Sequence, residues 1–129
     1  MSWQGYVDTN LVGTGKVSKA AIVGHKGGVW AKTSDFALTR EEETAIVGAF
    51  DKKEQTQASG LRLAGAKYFT LSIDQEKIAI IQLKRGPDGA VIVKTKQAFL
   101  VAAYQAPIQA PEATNVVVSL AEYLIGVGY

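Results

Sequence analysis

Residues 77–104 read KIAIIQLKRGPDGAVIVKTKQAFLVAAY, and this stretch decides the fold. Gly86-Pro87-Asp88-Gly89 stands near its middle. Proline presets φ and glycine takes positive φ at no steric cost, so these residues make a turn. Residues 77–83 before it, and 90–94 and 97–104 after it, are rich in isoleucine, valine and other strand formers. Residues 77–83 have apolar side chains at neighbouring positions, as a strand buried on both faces would. Strands joined by so short a turn run antiparallel, because a parallel pair needs a crossover of about a dozen residues or more.

Working outward, residues 67–73 alternate, with Phe69, Leu71 and Ile73 on one face and Tyr68, Thr70 and Ser72 on the other. Residues 51–60 are polar and read as a loop. Residues 20–24 and 29–33 read as strands around the glycine turn His25-Lys26-Gly27-Gly28. Thr39-Arg40-Glu41-Glu42 fits a capping box, opening a helix to about residue 50 with Ala45, Ile46, Ala49 and Phe50 inward. Ser2 can cap a helix over 2–11 that carries Trp3, Tyr6, Val7 and Asn10 on one stripe, ended by Gly13-Thr14-Gly15. Residues 106–110 connect to a last helix. Pro111 suits its first turn, and Val116, Val117, Leu120, Tyr123, Leu124 and Val127 repeat at helical spacing. Gly126 and Gly128 stop it. Helices and hairpins in this order, without βαβ alternation, predict an antiparallel α+β domain.

The chain has 129 residues, enough for a single domain with its own core. Cysteine is absent, which removes disulfides, thiol nucleophiles and thiolate metal sites. One histidine, His25, excludes a poly-histidine site. Net charge is only +2, too little for a general polyanion binder. The charge is nevertheless uneven: residues 62–96 hold seven cations and three anions, leaving the rest of the chain at −2. That basic block could dock an acidic partner. No run approaches the roughly 18 apolar residues of a membrane span, and the start lacks a signal-peptide layout, so the cytosol is the expected compartment.

No constellation for catalysis emerges. Gly13-Thr14-Gly15-Lys16-Val17-Ser18 lacks the earlier glycine of a phosphate loop, where Asn10 stands, and has Val17 where Ser or Thr is needed. His25 sits in a turn with no nucleophile elbow elsewhere in the chain. Glu41-Glu42-Glu43 is better explained as helix capping than as an acid pair. No enzyme activity, metal or cofactor is expected.

The aromatics are distinctive. Trp3 and Tyr6 lie on the first helix, Trp30 on an early strand, and Tyr123 and Tyr129 at the end of the last helix. Core packing is the bland explanation for any one of them. If the terminal helices lie side by side, however, these rings form an apolar trough rimmed by indole N–H and phenol O–H donors. Such a trough suits a polyproline II ligand, which is preformed and presents carbonyls. A single-stranded nucleic-acid module would need its rings among the lysines, so no nucleic-acid partner is expected.

Three stretches together resemble the profilin family: residues 1–8 (MSWQGYVD), 60–68 (GLRLAGAKY) and 121–129 (AEYLIGVGY). The ends look most like the fungal type, and Lys84-Arg85-Gly86 has a plant-like flavour. The resemblance covers the whole chain. It implies a central antiparallel sheet with the N- and C-terminal helices on one face and shorter helices on the other. It also implies a monomer that binds monomeric actin, promotes its nucleotide exchange, and takes proline-rich ligands, such as those of formins, and phosphoinositide headgroups. By the family pattern Trp3, Tyr6, Trp30, Tyr123, Leu124 and Tyr129 line the proline groove. Tyr123 stands where animal members often have histidine. Lys67, Thr70, Ser72, Lys84, Arg85, Lys94, Asn115, Val118 and Ser119 would contact actin, with Ser72 where the family is often basic. Phosphoinositide headgroups would meet Lys84-Arg85 and Lys94-Lys96.

Overall fold

The computed structural model describes residues 2–129. Its strands are β1 (Lys19–Gly24), β2 (Val29–Lys32), β3 (Leu61–Leu63), β4 (Ala66–Asp74), β5 (Ile80–Arg85), β6 (Asp88–Lys94) and β7 (Ala98–Tyr104). They form one seven-stranded sheet in the order β2-β1-β7-β6-β5-β4-β3, and every neighbouring pair is antiparallel. The β5–β6 hairpin turns through Gly86 and Pro87, with Arg85 opposite Asp88. Gly86 takes φ +61°, as the first central residue of a two-residue hairpin of the II′ kind must. Central strand β7 is buried along its whole length.

Two cores sandwich the sheet. On one face the N-terminal segment contributes Val7 and Leu11, and the last helix contributes Ala113, Val117, Leu120, Ala121 and Leu124. The N-terminal segment starts as α1 (Trp3–Gly5), widens to a π-wound stretch (Tyr6–Leu11) and tightens to a 3₁₀ turn (Val12–Thr14). Ser2 caps it, and Gly15 ends it in the left-handed region. On the other face helix α2 (Arg40–Gly48) buries Ile46 in a second core shared with Phe36, Leu61 and Ile92. Helix α3 (Lys53–Ser59) follows it, and α4 (Ala110–Gly126) is the last helix. The terminal helices therefore share one face, with α2 on the opposite one.

The capping box at Thr39 is present, and its acid does more than cap. Glu42 is buried, and its carboxylate accepts from Thr39 N (2.9 Å), Ala64 N (3.0 Å) and Gly65 N (2.8 Å). It thereby ties α2 to the β3–β4 turn, where Ala64 takes φ +52°. Glu42 occupies the inward side on which Ala45 was expected, and Ala45 is exposed.

Other expectations need correction. Residues 51–60 contain α3 rather than a loop. Among the α3 residues Thr56 alone is buried, so no apolar periodicity announces the helix. Polar bonds hold it instead: Thr56 Oγ1 donates to Ala49 O (3.1 Å) and Thr70 Oγ1 donates to Thr56 O (2.7 Å). Strand β5 begins at Ile80, not residue 77, and only Ile81 and Leu83 within it are fully buried. In β4 the even alternation fails, because the register shifts between Thr70 and Ser72 and leaves Leu71 as a bulge. Tyr68 points to the core, whereas Phe69 and Leu71 are 66% and 60% exposed.

Candidate functional site

Each ring of the expected groove is set by local chemistry. Ser2 Oγ accepts from Gly5 N and starts the turn that projects Trp3. Gln4 Nε2 donates to Lys32 O (2.8 Å), and Lys32 N returns a bond to Gln4 Oε1, pinning α1 to β2 beside Trp30. Trp30 lies over the backbone of β1. A Cβ at Gly24 would sit 2.7 Å from Trp30 Nε1, so only glycine lets the indole lie down there. Tyr129 is anchored through its main chain: its N donates to Leu124 O, and its O accepts from Thr95 Oγ1 (2.7 Å) and Gln97 N (2.6 Å).

These elements bring together rings from distant parts of the chain. Trp3 lies 4.7 Å from Trp30, 5.6 Å from Tyr6 and 5.1 Å from Tyr129 between centroids. Tyr6 lies 6.3 Å from Tyr123. All the pairs are tilted or edge-on, the arrangement that ring quadrupoles favour. Trp30, Tyr123 and Tyr129 stay 39%, 55% and 42% exposed, while Trp3 and Tyr6 are half-buried. Burial, then the adjacent Tyr123 phenol and the phenol of Tyr129, pushes the Tyr6 phenol above its usual 10. The Tyr6 phenol therefore keeps its proton and can donate at physiological pH.

Leu124 does not belong to this lining. It is 1% exposed and sits in the core beneath the rings. It is one residue past Tyr123, which turns it about 100° around the helix from the exposed ring to the sheet.

Past Tyr6 and Tyr123 the cluster opens into a trough of about 680 Å³ between the N-terminal segment and α4, bordered also by Asn10, Asn115, Val116 and Ser119. Asn115 and Ser119 therefore turn toward the rings.

The remaining residues expected to meet actin split further. Register places Lys84 opposite Phe69 and Ser72 opposite Gln82, on the face that carries α4. Gln82 Nε2 donates to Thr114 Oγ1 (2.9 Å), joining β5 to α4 about one turn before Val118. Ser72, Lys84 and Val118 thus share a flank with exposed Phe69. Strand alternation turns Arg85 and Lys94 to the opposite face. Thr70 also points there and is held to α3. Lys67 Nζ donates to Ser59 O at the end of α3. The expected residues do not form one patch, because neighbouring strand positions face opposite ways.

Phe69, Leu71 and Gln82 are candidates that the sequence reading missed. Alternation shows which residues share a face but not whether anything covers that face. Gln82 Oε1 is buried without a partner among the described residues. No three His, Asp or Glu gather as metal ligands among those residues, and no helix is long and apolar enough to cross a membrane.

The profilin family model matches residues 1–129. Profilin-1B of Acanthamoeba castellanii is 48% identical over 129 residues, covering 100% of both chains. The solved structure of that amoebal profilin superimposes with a TM-score of 0.93 over 99% of this chain and 100% of the other. Profilin of Saccharomyces cerevisiae is 43% identical over 100% of both chains. Mouse profilin IIa, solved in complex with a double repeat from the FH1 domain of mDia1, is 25% identical, with a TM-score of 0.81 over 100% of both chains. Sequence and fold agree: this chain belongs to the profilin family.

Proposed function

We infer that this chain is a non-enzymatic adaptor of the actin cytoskeleton, with monomeric actin on one surface and a proline-rich segment in the ring groove. The observation that carries the groove is the meeting of both chain ends, with Trp3 within 4.7–5.6 Å of Trp30, Tyr129 and Tyr6. A polyproline II helix loses little entropy on binding and offers carbonyls to the indole and phenol donors. Its source is a filament-elongating protein such as a formin, in line with the complex of the mouse relative with a double repeat from the FH1 domain of mDia1.

Actin binds the flank that joins β4 and β5 to α4. Exposed Phe69 supplies apolar area, Lys84 charge, and Ser72 and Val118 the edge. Nucleotide exchange needs no catalytic side chain here. A ligand that prefers actin with an open nucleotide cleft shifts actin toward that state by its differential affinity. Phosphoinositide headgroups compete through Lys84, Arg85, Lys94 and Lys96. The protein works in the cytoplasm.

Retention on immobilised polyproline, followed by addition of monomeric actin, tests both surfaces at once. Actin should be captured on the column without releasing the chain. Failure to bind polyproline would remove the groove assignment, and displacement by actin would collapse the two sites into one.

A further inference from the structure

The ring cluster is flanked by two unlike cavities. Beyond Tyr6 and Tyr123 lies the trough of about 680 Å³, lined by the apolar Val116 and Leu120 and bearing Asn10 and Ser119. Beyond Trp30 lies a second cavity of about 400 Å³, bordered by His25, Lys26, Lys96 and Gln97. Both are continuous with the groove, since Tyr6 and Tyr123 wall the first and Trp30 walls the second.

Their chemistries differ. The lining of the second cavity holds two lysines and no acid. The ion pairs among the described residues are Lys16–Glu112 and Lys19–Asp35, so Lys26 and Lys96 have no acidic partner within bonding reach. Glu43 Oε1 accepts from Gly28 N, and Tyr129 O accepts from Thr95 Oγ1 and Gln97 N. His25 Nε2 lies 3.1 Å from Ala98 O. A proline run has neither charge nor a long apolar side chain, so it uses neither cavity.

We propose that the two cavities read the residues flanking the proline run: a bulky apolar side chain enters the trough, and an acidic side chain meets Lys26 and Lys96. This rests on the reading of the rings as a proline groove. The centroid steps from Trp30 to Trp3, Tyr6 and Tyr123 are 4.7, 5.6 and 6.3 Å. Laid end to end they span at most ~17 Å, which about five polyproline II residues cover at ~3.1 Å each. The two flanking residues are therefore separated by a short proline run of about that length. Because the cavities are unlike, they also select the direction in which the segment lies.

The test compares end-blocked peptides by tryptophan fluorescence titration. Each has about five prolines, flanked by leucine and glutamate, by the same two residues in swapped order, or by serine at both ends. One of the leucine–glutamate orders should bind about tenfold more tightly than the serine peptide, most of the gain coming from leucine burial. Glutamate should supply about two- to threefold, lost in high salt and in Lys26→Glu combined with Lys96→Glu. Val116→Asn, checked for native unfolding, should remove the leucine gain and leave the glutamate gain. Equal affinity for all the flanked peptides overturns this inference and leaves the proline groove standing. Absence of binding by every peptide and by polyproline overturns the groove itself. If inositol trisphosphate binds at Lys26 and Lys96 while glutamate brings no gain, the cavity is a phosphate site and the acidic half of the proposal falls.

Discussion

The ring groove and the β4–β5 flank are built in opposite ways. The groove draws Trp3, Tyr6, Trp30, Tyr123 and Tyr129 from both chain ends and an early strand, and locks them by ring contacts and main-chain bonds. The flank comes from neighbouring strands and one helix edge, and its largest apolar side chain, Phe69, lies open to water. A preassembled groove spends little free energy on ordering when it binds, so its affinity concentrates in a few rings. An open strand face instead combines one apolar anchor with charges that act on encounter rate.

That contrast can be broken at several points. The largest effect is expected for Trp3→Ala, which removes the ring at the centre of the cluster. Polyproline affinity should fall at least ~100-fold, the loss of a central aromatic hot spot, while actin affinity stays unchanged. An intact polyproline titration in that variant would refute the groove. Leu124→Ala separates support from contact. It should destabilise the fold by about 2–5 kcal/mol in urea unfolding, with near-normal polyproline affinity for the folded protein. A large affinity loss in a stably folded variant would return Leu124 to the lining.

Phe69→Ser should leave stability close to wild type and weaken actin-monomer binding about tenfold, as loss of an exposed apolar anchor would. No change in a sedimentation or anisotropy assay would move the actin surface elsewhere. Lys84→Glu should weaken actin a few-fold at low salt and less at high salt, leaving polyproline unaffected. Loss of both activities in a folded variant would join the two regions.

The smallest effect concerns Glu112 at the start of α4. The Lys16 ammonium, 2.6 Å away, and then the Gln109 backbone N–H hold its carboxyl below the usual 4.5. A depressed carboxyl contributes stability above its unfolded value, and that contribution disappears as pH falls through the folded one. Urea midpoints of wild type and Lys16→Met should therefore differ slightly at neutral pH and converge as the pH falls from 4.5 through the lower folded-state value. A gap that persists in acid would assign the effect to packing. The pair is exposed, so the difference is small.

Much of this was legible beforehand, and the misses have definite causes. Thr39 with Glu42, the Gly86-Pro87 turn and Pro111 in the first turn of α4 are local backbone chemistry, readable wherever they occur. Helix α3 escaped because hydrogen bonds to Ala49 and from Thr70 replace an apolar stripe. The exposed faces of Phe69 and Leu71 escaped because a bulge and an uncovered sheet surface leave no mark on alternation.

The sequence by itself determined most of the elements, their antiparallel pairing and the family, because caps, turns and period-two patterns depend on near neighbours along the chain. The tertiary structure alone decided that Leu124 lies beneath the rings, that Lys84 rather than Arg85 lies on the face carrying α4, and that unlike cavities adjoin the groove. Those outcomes follow from which surfaces are covered when distant segments meet, and burial is a property of the packed whole.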